Sequence, residues 1–396
     1  MKTNQYRTVR AGILILAILA VLLALFLWKG KTALVDFQVY YTAGERFLAG
    51  EQLCQPSDGH YQFKYLPVSA VYFVPLALLP LAIAKFLWLA VVTAALVGVA
   101  YFSYLLLSST EDKWPWLVLP TVFIMLRFYL REMELGQTNA VLTLLLIGSI
   151  ATLQAKKDLF TGVLIGLAIS LKPYALIFLP YLALKRRFRA LGVAISTTII
   201  MLLLPSLRYG FDGNLALHRD WWNIVTHSTP ALLVNPDNIS IFGAFAKWFG
   251  QMSIAVTVFS FTVAGIVLLA ALYVTTRPVK LPHNDTTADK ALLADGSLLL
   301  ILIPLVSPQG WDYVFLTGTL GTMCLISERR QMPKVCWWIL VGLFGVIGLS
   351  YYDLLGRQRY RAFMDASVLT VCFTFIAGYL MRWRLKLTNV VAPSTR

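Results

Sequence analysis

The sequence has few charged residues and very few cysteines and histidines. Charged residues make up 13% of its 396 residues and hydrophobic ones 58%, whereas soluble domains carry roughly 25% charged residues. A chain of this length cannot hide so much apolar surface in a water-soluble core, so lipid must cover part of it. With four cysteines and four histidines, and no ligand-like spacing among them, we predict no resident metal ion.

Motifs of soluble enzymes are also absent. The chain has no glycine-rich phosphate loop, no His-Glu-x-x-His and no Gly-x-Ser-x-Gly. We therefore expect no cofactor, and the sequence leaves a requirement for a divalent ion open. The net charge of +15 would suggest nucleic acid for a soluble protein, but Lys and Arg also collect in the cytoplasmic loops of membrane proteins. We predict membrane lipids as neighbours and no nucleic-acid partner.

Long apolar runs rich in Leu, Val and Ala fill most of the chain. Such runs predict membrane helices, and the fold class we expect is an all-α polytopic membrane protein with about 11–13 membrane helices. We find no internal repeat and predict a single membrane-embedded domain, 1–396. The predicted apolar segments are 11–28, 67–80, 82–107, 115–130, 138–154, 160–171 with 173–184, 190–205, 253–275, 291–306, 313–327, 335–351 and 364–381.

Segment 67–80 is too short to cross a bilayer, which takes about 20 apolar residues. Pro67 and Pro80 bound it, so we predict a short helix that lies near the membrane interface. A second break, at Lys172-Pro173, separates two short apolar pieces. We interpret it as the apex of a hairpin near the outer face.

Basic clusters support one orientation of the chain. With the amino terminus in the cytoplasm, clusters such as Lys185–Arg187 and Arg382–Lys386 fall in inside loops, as the positive-inside rule expects. Both termini are then cytoplasmic. The segments 29–81, about 127–137, 206–252, 307–312 and 352–362 then face outside, which is where we predict the active site of a multi-pass cell-membrane protein.

The first candidate for chemistry is Asp36, just beyond the first predicted span. A carboxylate in this aromatic, membrane-proximal sequence suits a general base, and the alternative is an interfacial Asp that caps the following helix. Tyr40, Tyr41 and Tyr65 lie in the same outer segment. They form either an aromatic belt at the interface or a platform for a sugar or isoprenoid group.

Four cations lie at or within apolar segments, where a charge is costly and therefore marks a functional site. They are Lys64, Arg127, Arg131 and Lys172. We expect an anionic partner for them, either Glu132, Glu134 or a lipid phosphate. For Arg127 and Arg131, the alternative is that the side chain snorkels to the interface.

Three polar turns precede or interrupt the apolar segments. Gly136-Gln137-Thr138-Asn139 opens a predicted helix, whose amino terminus can either bind an anion or be capped by its own side chains. The turn at 235–240 contains Asn238, with capping again as the alternative. The turn at 307–313 contains Trp311 and places Asp312 at the outer mouth.

Seven short motifs occur in a fixed order along residues 36–313. They are Asp36-Phe37 through Tyr40-Tyr41-x-Ala43-Gly44, Phe63-Lys64-Tyr65-x-Pro67, Pro75-Leu76-Ala77-Leu78-Leu79-Pro80 with Trp88, Gly136-Gln137-Thr138-Asn139, Gly162-x-x-x-Gly166-Leu167 leading to Lys172-Pro173, Asn238-x-Ser240, and Ser307-Pro308-x-x-Trp311-Asp312. In this order they resemble glycosyltransferase family 87, a group of membrane glycosyltransferases that depend on polyprenyl-phosphate sugars.

The resemblance implies a GT-C-type helical bundle, in which the first outer loop bears the catalytic carboxylate and juxtamembrane helices follow it. It further implies an inverting hexosyltransferase, with mannose the expected sugar. The donor would be a polyprenyl-phosphate-linked sugar, and the acceptor a lipid or glycan on the outer face of the membrane.

The resemblance also implies residue roles. Asp36 matches the family's catalytic aspartate, and Lys172 matches a family lysine that would hold the donor phosphate. To these we add Arg127, Arg131 and Lys64 as further phosphate ligands. We expect substrate contacts from Tyr40, Tyr41, Tyr65, Gln137, Asn139, Asn238, Trp311 and Asp312.

One position departs from the family pattern. Relatives often carry His after the Trp-Asp pair, where this chain has Tyr313, and this leaves the sugar and the acceptor open. An arabinofuranosyl-type pentosyltransferase is one alternative. The others are a transporter or flippase of lipid-linked sugars, and an assembly subunit with a decayed active site.

Overall fold

The structure is a computed structural model that describes residues 34–59, 61–107, 114–250, 253–279 and 285–388. Apart from an isolated antiparallel bridge between Asn238 and Trp311, the regular structure in these residues is helical. The all-α prediction is therefore confirmed. The predicted first span, 11–28, lies outside the described residues.

Sixteen α-helices occur in the described part of the chain. The first eight are α1 (Val35–Ala49), α2 (Pro67–Ala77), α3 (Leu81–Leu106), α4 (Trp114–Leu135), α5 (Asn139–Gln154), α6 (Asp158–Leu171), α7 (Phe178–Leu184) and α8 (Phe188–Leu203). The others are α9 (Ser206–Leu233), α10 (Ile241–Trp248), α11 (Ile254–Thr276), α12 (Asp285–Val306), α13 (Thr319–Ser327), α14 (Lys334–Leu349), α15 (Tyr352–Asp365) and α16 (Val368–Lys386). Short 3₁₀ turns cover Pro56–Asp58, Pro173–Ile177, Asp312–Gly318 and Glu328–Gln331.

Several of these helices can cross a membrane. By length and composition, α3, α11 and α16 qualify alone. The count among the described residues rises to as many as five if the pairs α8–α9 and α14–α15, bent by 93° and 100°, are each one span. A polytopic membrane protein is thus confirmed, while the expected number of about 11–13 membrane helices stays a prediction.

Two segments that we interpreted as outer loops are largely helical. Helix α9 lies within 206–252, and α15 covers 352–365. Each contains a glycine with positive φ near its start, Gly210 at 69° and Gly356 at 71°, where the helix is kinked. A search for apolar runs misses both helices because charged residues interrupt their apolar faces.

The short apolar segment 67–80 forms a helix, as predicted. Helix α2 begins at Pro67, a favoured residue for the first helical position, and ends before Pro80. It packs closely on α1, because a Cβ at Gly44 would lie 3.0 Å from the Ala77 Cβ and 3.1 Å from the Phe73 backbone. This contact fixes α1, which carries Asp36.

Helices α6 and α8 pack against each other through small residues. A Cβ at Gly162 would lie 2.5 Å from the Ala190 carbonyl oxygen, and one at Gly166 would lie 2.5 Å from the Thr197 Cβ. Glycines four residues apart let two helix backbones approach closely. The Gly-x-x-x-Gly motif therefore positions α6, whose last turn leads into Lys172.

A buried ion cluster ties the carboxyl-terminal helix to the bundle. Asp295 on α12 is fully buried, with the Lys185 Nζ 2.7 Å away and the Arg384 Nε 2.8 Å away. Removing one partner of such a cluster is strongly destabilising, because it leaves a buried charge uncompensated. Two of the basic residues used to orient the chain thus have a packing role that the sequence did not reveal.

The α6–α8 contact generates a prediction about stability. Gly166→Ala should lower the free energy of unfolding by about 1–3 kcal/mol, because the added methyl group overpacks the interface. The matched control is Gly192→Ala on α8, where an added Cβ meets nothing within 4 Å. It should be neutral or slightly stabilising. Thermal unfolding of the detergent-solubilised proteins measures both, and equal melting temperatures would contradict this packing.

Candidate active site

Asp36 faces a cleft of about 1240 Å³. Pockets for drug-sized ligands occupy roughly 300–1,000 Å³, so this cleft is large enough for more than one small substrate. Its polar and aromatic lining includes Asp36, Tyr40, Lys64, Tyr65, Arg127, Arg131, Glu134, Gln137, Lys172, Tyr174, Asp237, Trp311, Asp312, Tyr313 and Tyr360. The fold therefore brings together most of the residues predicted from sequence.

Five side chains form a continuous hydrogen-bonded chain that begins at the cleft wall and runs into the bundle. The Lys172 Nζ donates to the Gln137 Oε1 at 3.0 Å and to the Asn139 Oδ1 at 2.8 Å. Each amide then donates to a carboxylate, Gln137 Nε2 to Asp36 Oδ2 at 2.7 Å and Asn139 Nδ2 to Glu132 Oε2 at 2.8 Å. We call these five residues the lysine–amide chain.

The chemistry of its members fixes the direction of every bond in the lysine–amide chain. An ammonium group only donates and an ionised carboxylate only accepts, so each amide has one orientation that satisfies both neighbours. Lys172 is 4% exposed and Glu132 fully buried. Such charges are tolerated inside a membrane bundle only when they are paired and hydrogen-bonded.

The turn before α5 brings Gln137 to Asp36. Gly136 has a φ of 70°, and a Cβ there would lie 2.7 Å from the Leu34 Cδ2 and 2.8 Å from the Phe37 Cβ. Only glycine combines this conformation with such close contact to the start of α1. The indole nitrogen of Trp88 donates to the Gly136 carbonyl oxygen at 2.7 Å and holds the turn in place.

Lys172 owes its position to the proline that follows it. It ends α6 in an extended conformation, with φ −147° and ψ 127°, as expected for a residue before proline. The predicted break between two short helices is thus confirmed. The rings of Tyr65 and Tyr174 lie 5.1 and 5.9 Å from the Nζ and add cation–π attraction.

The positions of Asp36 and Glu132 argue against two alternatives, that Asp36 caps α1 and that the start of α5 binds an anion. The N-cap residue of α1 is Leu34, and Asp36 lies within the first helical turn. At the start of α5, the Ala140 N–H donates to Glu132 Oε1 at 2.8 Å. The helix terminus that we considered as an anion site is therefore occupied by a carboxylate of the protein.

Tyrosine hydroxyls surround the Gln137 amide. The Tyr40 hydroxyl lies 2.7 Å from the Gln137 Oε1 and 2.6 Å from the Tyr65 hydroxyl. Tyr313, the departure from the family pattern, places its hydroxyl 3.4 Å from the Gln137 Nε2. The sequence gave no sign that Tyr313 reaches Gln137, since the two are far apart in the chain.

Arg127 has protein partners on both of its terminal nitrogens. Its Nη2 lies 2.9 Å from the Asp312 Oδ2 and 3.1 Å from the Tyr360 hydroxyl, and its Nη1 donates to the Ser350 carbonyl and hydroxyl oxygens at 2.7 Å. Arg127 therefore ties α4 to the 307–313 turn and to the α14–α15 bend. Glu132, one of the anionic partners considered for these cations, belongs to the lysine–amide chain instead. Ser350 and Tyr360 were not identified from sequence.

Arg131 and Lys64 lie at the rim of the cleft. Arg131 forms a 2.9 Å ion pair with Glu134 and lies 3.9 Å from Asp237, with 39% of its side chain exposed. Lys64 is half-buried in the loop between α1 and α2, and this burial lowers the pKa of its ammonium group. Both remain accessible to a bound anion.

Three residues that we predicted to contact substrate, Tyr41, Asn139 and Asn238, form hydrogen bonds with protein groups in the structure. The Tyr41 hydroxyl donates to the Leu79 carbonyl oxygen at 2.8 Å, and the Asn238 Nδ2 donates to that of Pro308 at 2.9 Å. Asn139 is fully buried and acts on Lys172. Asn238 and the backbone bridge to Trp311 hold the 307–313 turn, so Asn238 positions the cleft residues Trp311 and Asp312.

The residues that the structure describes contain no group of three or more His, Cys, Asp or Glu side chains arranged to hold a metal ion. The polar groups of the cleft are instead carboxylates, amides, ammonium and guanidinium groups, and tyrosine hydroxyls. Their role toward a divalent ion stays open.

A short helix follows the cleft-facing aspartate in this helical membrane bundle, which agrees with the GT-C-type arrangement that the family resemblance implies. Residues 63–308, more than half of the chain, match glycosyltransferase family 87, and the chain belongs to this family. It is thus an integral membrane glycosyltransferase. Lys64, Gln137 and Lys172 lie inside the matched segment, whereas Asp36 precedes it and Asp312 follows it.

Curated relatives cover most of the chain. A polyprenol-phosphate-mannose-dependent alpha-(1-2)-phosphatidylinositol mannoside mannosyltransferase of Mycolicibacterium smegmatis is 26% identical over 346 residues, 78% of this chain and 75% of that protein. An enzyme of the same description from Mycobacterium tuberculosis is 25% identical, covering 91% of this chain and 84% of its own length. An M. smegmatis phosphatidylinositol pentamannoside mannosyltransferase is 28% identical over 166 residues, 40% of each chain.

The lysine–amide chain generates a second prediction. Glu132→Gln should destabilise the protein by about 3 kcal/mol, because it removes a buried negative charge near Lys172 and sets an NH₂ group against an N–H donor. Glu134→Gln, two residues away with a 62% exposed side chain, should cost less than about 1 kcal/mol. Thermal unfolding in detergent compares them. If both variants melt at the wild-type temperature, Glu132 is not a required member of the chain.

Proposed function

We propose that this glycosyltransferase transfers mannose, with inversion, from a polyprenyl-phosphate donor to a mannosylated lipid or a glycan on the outer face of the membrane. The observation that carries the proposal is the placement of Asp36 and Lys172 on either side of one amide, Gln137, at the wall of the cleft. A carboxylate and a cation at this spacing can serve the two ends of a glycosyl transfer.

Asp36 is the general base of the proposed reaction. Its carboxylate takes the proton from the acceptor hydroxyl as that oxygen forms a bond to the anomeric carbon of the donor. The bond between the anomeric carbon and the phosphate oxygen breaks at the same time, and its electron pair goes to the phosphate. A base must lie within about 3 Å of the hydroxyl oxygen for this transfer, and the hydrogen bond from Gln137 fixes the direction in which Asp36 points.

Lys172 stabilises the leaving phosphate. An ammonium group has three N–H donors, and the two amides use two of them. Since Lys172 lines the cleft, its third N–H can reach a bound anion. A cation held in place before the reaction stabilises charge as it develops on the phosphate, without the cost of reorienting water.

We assign two different roles to the remaining cations. Lys64 and Arg131 lie at the rim, where they attract the donor phosphate to the cleft. The Nη atoms of Arg127 contact Asp312, Ser350 and Tyr360, so we assign it to holding the 307–313 turn. Trp311 on that turn lines the cleft and offers an aromatic face to a sugar ring.

The relatives support the substrate classes. Their names specify a polyprenol-phosphate-mannose donor and a phosphatidylinositol mannoside acceptor. We extend both classes to this chain because the similarity covers most of its length. A polyprenyl-phosphate donor is anchored in the bilayer and requires no nucleotide-binding loop. This agrees with the lack of a glycine-rich phosphate loop in the sequence. Cytoplasmic termini and an outer active site remain part of the proposal.

The test compares membranes that contain wild-type protein, Asp36→Asn and the control Asp212→Asn, whose exposed carboxylate lies on α9 outside the cleft. With radiolabelled polyprenyl-phospho-mannose and phosphatidylinositol mannosides, Asp36→Asn should slow transfer about 100- to 10,000-fold, the usual contribution of a general base. Asp212→Asn should transfer at the wild-type rate.

Near-normal turnover by Asp36→Asn would overturn its assignment as the base. If no protein transfers mannose but wild type transfers a pentose from polyprenyl-phospho-arabinose, the donor assignment is wrong and the enzyme class stands. Movement of labelled lipid across liposomes without formation of a glycoside would favour the transporter instead.

A further inference from the structure

A second, smaller cavity of about 320 Å³ lies beside the cleft, against the other side of α1. We call it the side groove. Its polar and aromatic lining is formed by Gln38, Thr42, Arg46, Asp58, Tyr61 and Phe63. Pockets of this size, at the lower end of the usual range of about 300–1,000 Å³, hold a compact group rather than a whole lipid.

The side groove adjoins the cleft. Val35, Val39 and Tyr61 line both cavities. Helix α1 directs Asp36 toward the cleft and Gln38 toward the side groove. When the reacting hydroxyl of a substrate lies at Asp36, the next group of that substrate is therefore close to the side groove.

A rigid ion pair forms the floor of the side groove. The Arg46 guanidinium donates to both Asp58 carboxylate oxygens, at 2.7 and 2.6 Å, and to the Leu53 carbonyl oxygen at 3.1 Å. The backbone N–H of Gln55 also donates to Asp58 at 2.8 Å. Hydrogen bonds from Arg46 hold the pKa of Asp58 below its usual value, so the pair stays ionised and in one geometry.

The charge of the side groove argues against a phosphate there. Among the described residues that line it, the charged ones are Arg46 and Asp58, and their charges cancel. The cleft lining also carries charges of both signs, but the two amides use only two of the three N–H donors of Lys172. In the side groove, both terminal nitrogens of Arg46 are bound to Asp58. A phosphate therefore finds a cation to bind in the cleft, and a neutral group fits the side groove.

The remaining lining suits a sugar. Gln38 and Thr42 offer both donors and acceptors of hydrogen bonds, and Tyr61 is 55% exposed. Its backbone N–H donates to the Asp58 carbonyl oxygen at 2.9 Å, which ties the aromatic residue to the ion pair. Polar groups beside an aromatic face match the hydroxyl groups and the apolar face of a pyranose ring.

We propose that the side groove is a subsite for a sugar unit of the acceptor, next to the unit whose hydroxyl reacts at Asp36. This proposal rests on the proposed function. It makes the enzyme selective for acceptors that already carry more than one sugar, because a single unit at Asp36 leaves the side groove empty.

The test compares acceptors of two lengths with wild-type protein, Gln38→Ala and Thr42→Ala, because Gln38 and Thr42 line the side groove but not the cleft. The probes are phosphatidylinositol carrying one mannose and phosphatidylinositol carrying three. Wild type should prefer the longer acceptor, and each variant should lower the ratio of kcat/KM for long over short acceptor by about five- to tenfold, the effect of losing one or two contacts. The KM for the polyprenyl-phospho-mannose donor should not change.

Gln52→Ala is the matched control, because Gln52 is an exposed glutamine of the same outer segment that lies outside both cavities. It should keep the wild-type preference. An unchanged ratio in both groove variants would overturn the subsite. So would a change in donor KM that depends on prenyl length, since the side groove would then hold the prenyl chain.

A separate measurement covers the case in which no mannose transfer is found. Saturation-transfer NMR with methyl mannobioside and detergent-solubilised Asp36→Asn protein detects sugar binding without catalysis. Contact that is lost on adding Gln38→Ala supports the side groove even if the proposed reaction is wrong. No contact, or contact that Gln38→Ala leaves unchanged, would overturn it.

Discussion

The candidate site depends on one buried ammonium group that is held between two amides. Lys172 brings a positive charge into a helical bundle where water is scarce, and the amides of Gln137 and Asn139 satisfy two of its donors. Through these amides the charge is linked to Asp36 on one side and Glu132 on the other. Within the described part of the chain, the ammonium is thereby stabilised by amides rather than by direct contact with a carboxylate, and its third donor is available to the cleft that Lys172 lines.

Much of the surrounding fold positions this interaction. The close packing of α6 on α8 at Gly162 and Gly166 positions the end of α6 at Lys172, and the proline after it holds Lys172 in an extended conformation. The left-handed Gly136 lets α1 touch the turn that carries Gln137. Family motifs that look like isolated glycines and polar residues in the sequence are therefore parts of one contact network.

The sequence predicted the helical class, the short helix α2, the break at Lys172-Pro173 and ten of the residues that line the cleft, because apolar runs and buried charges leave direct local signals. It missed helices α9 and α15, whose charged residues interrupt any apolar run. It also missed pairings between distant residues, such as Arg127 with Asp312 and Lys185 with Asp295. A single sequence shows which charged residues lie in apolar segments, but it does not show which distant residue pairs with each of them.

The most direct test of the central claim is a double-mutant cycle on kcat/KM for mannosyl transfer, with Gln137→Leu, Lys172→Met and the double variant. If Gln137 and Lys172 act as one unit, the second substitution should add little to the loss caused by the first. The coupling should then be about 0.5–3 kcal/mol, as for residues in direct contact. Losses that simply multiply would show that the two residues act independently and would contradict the account.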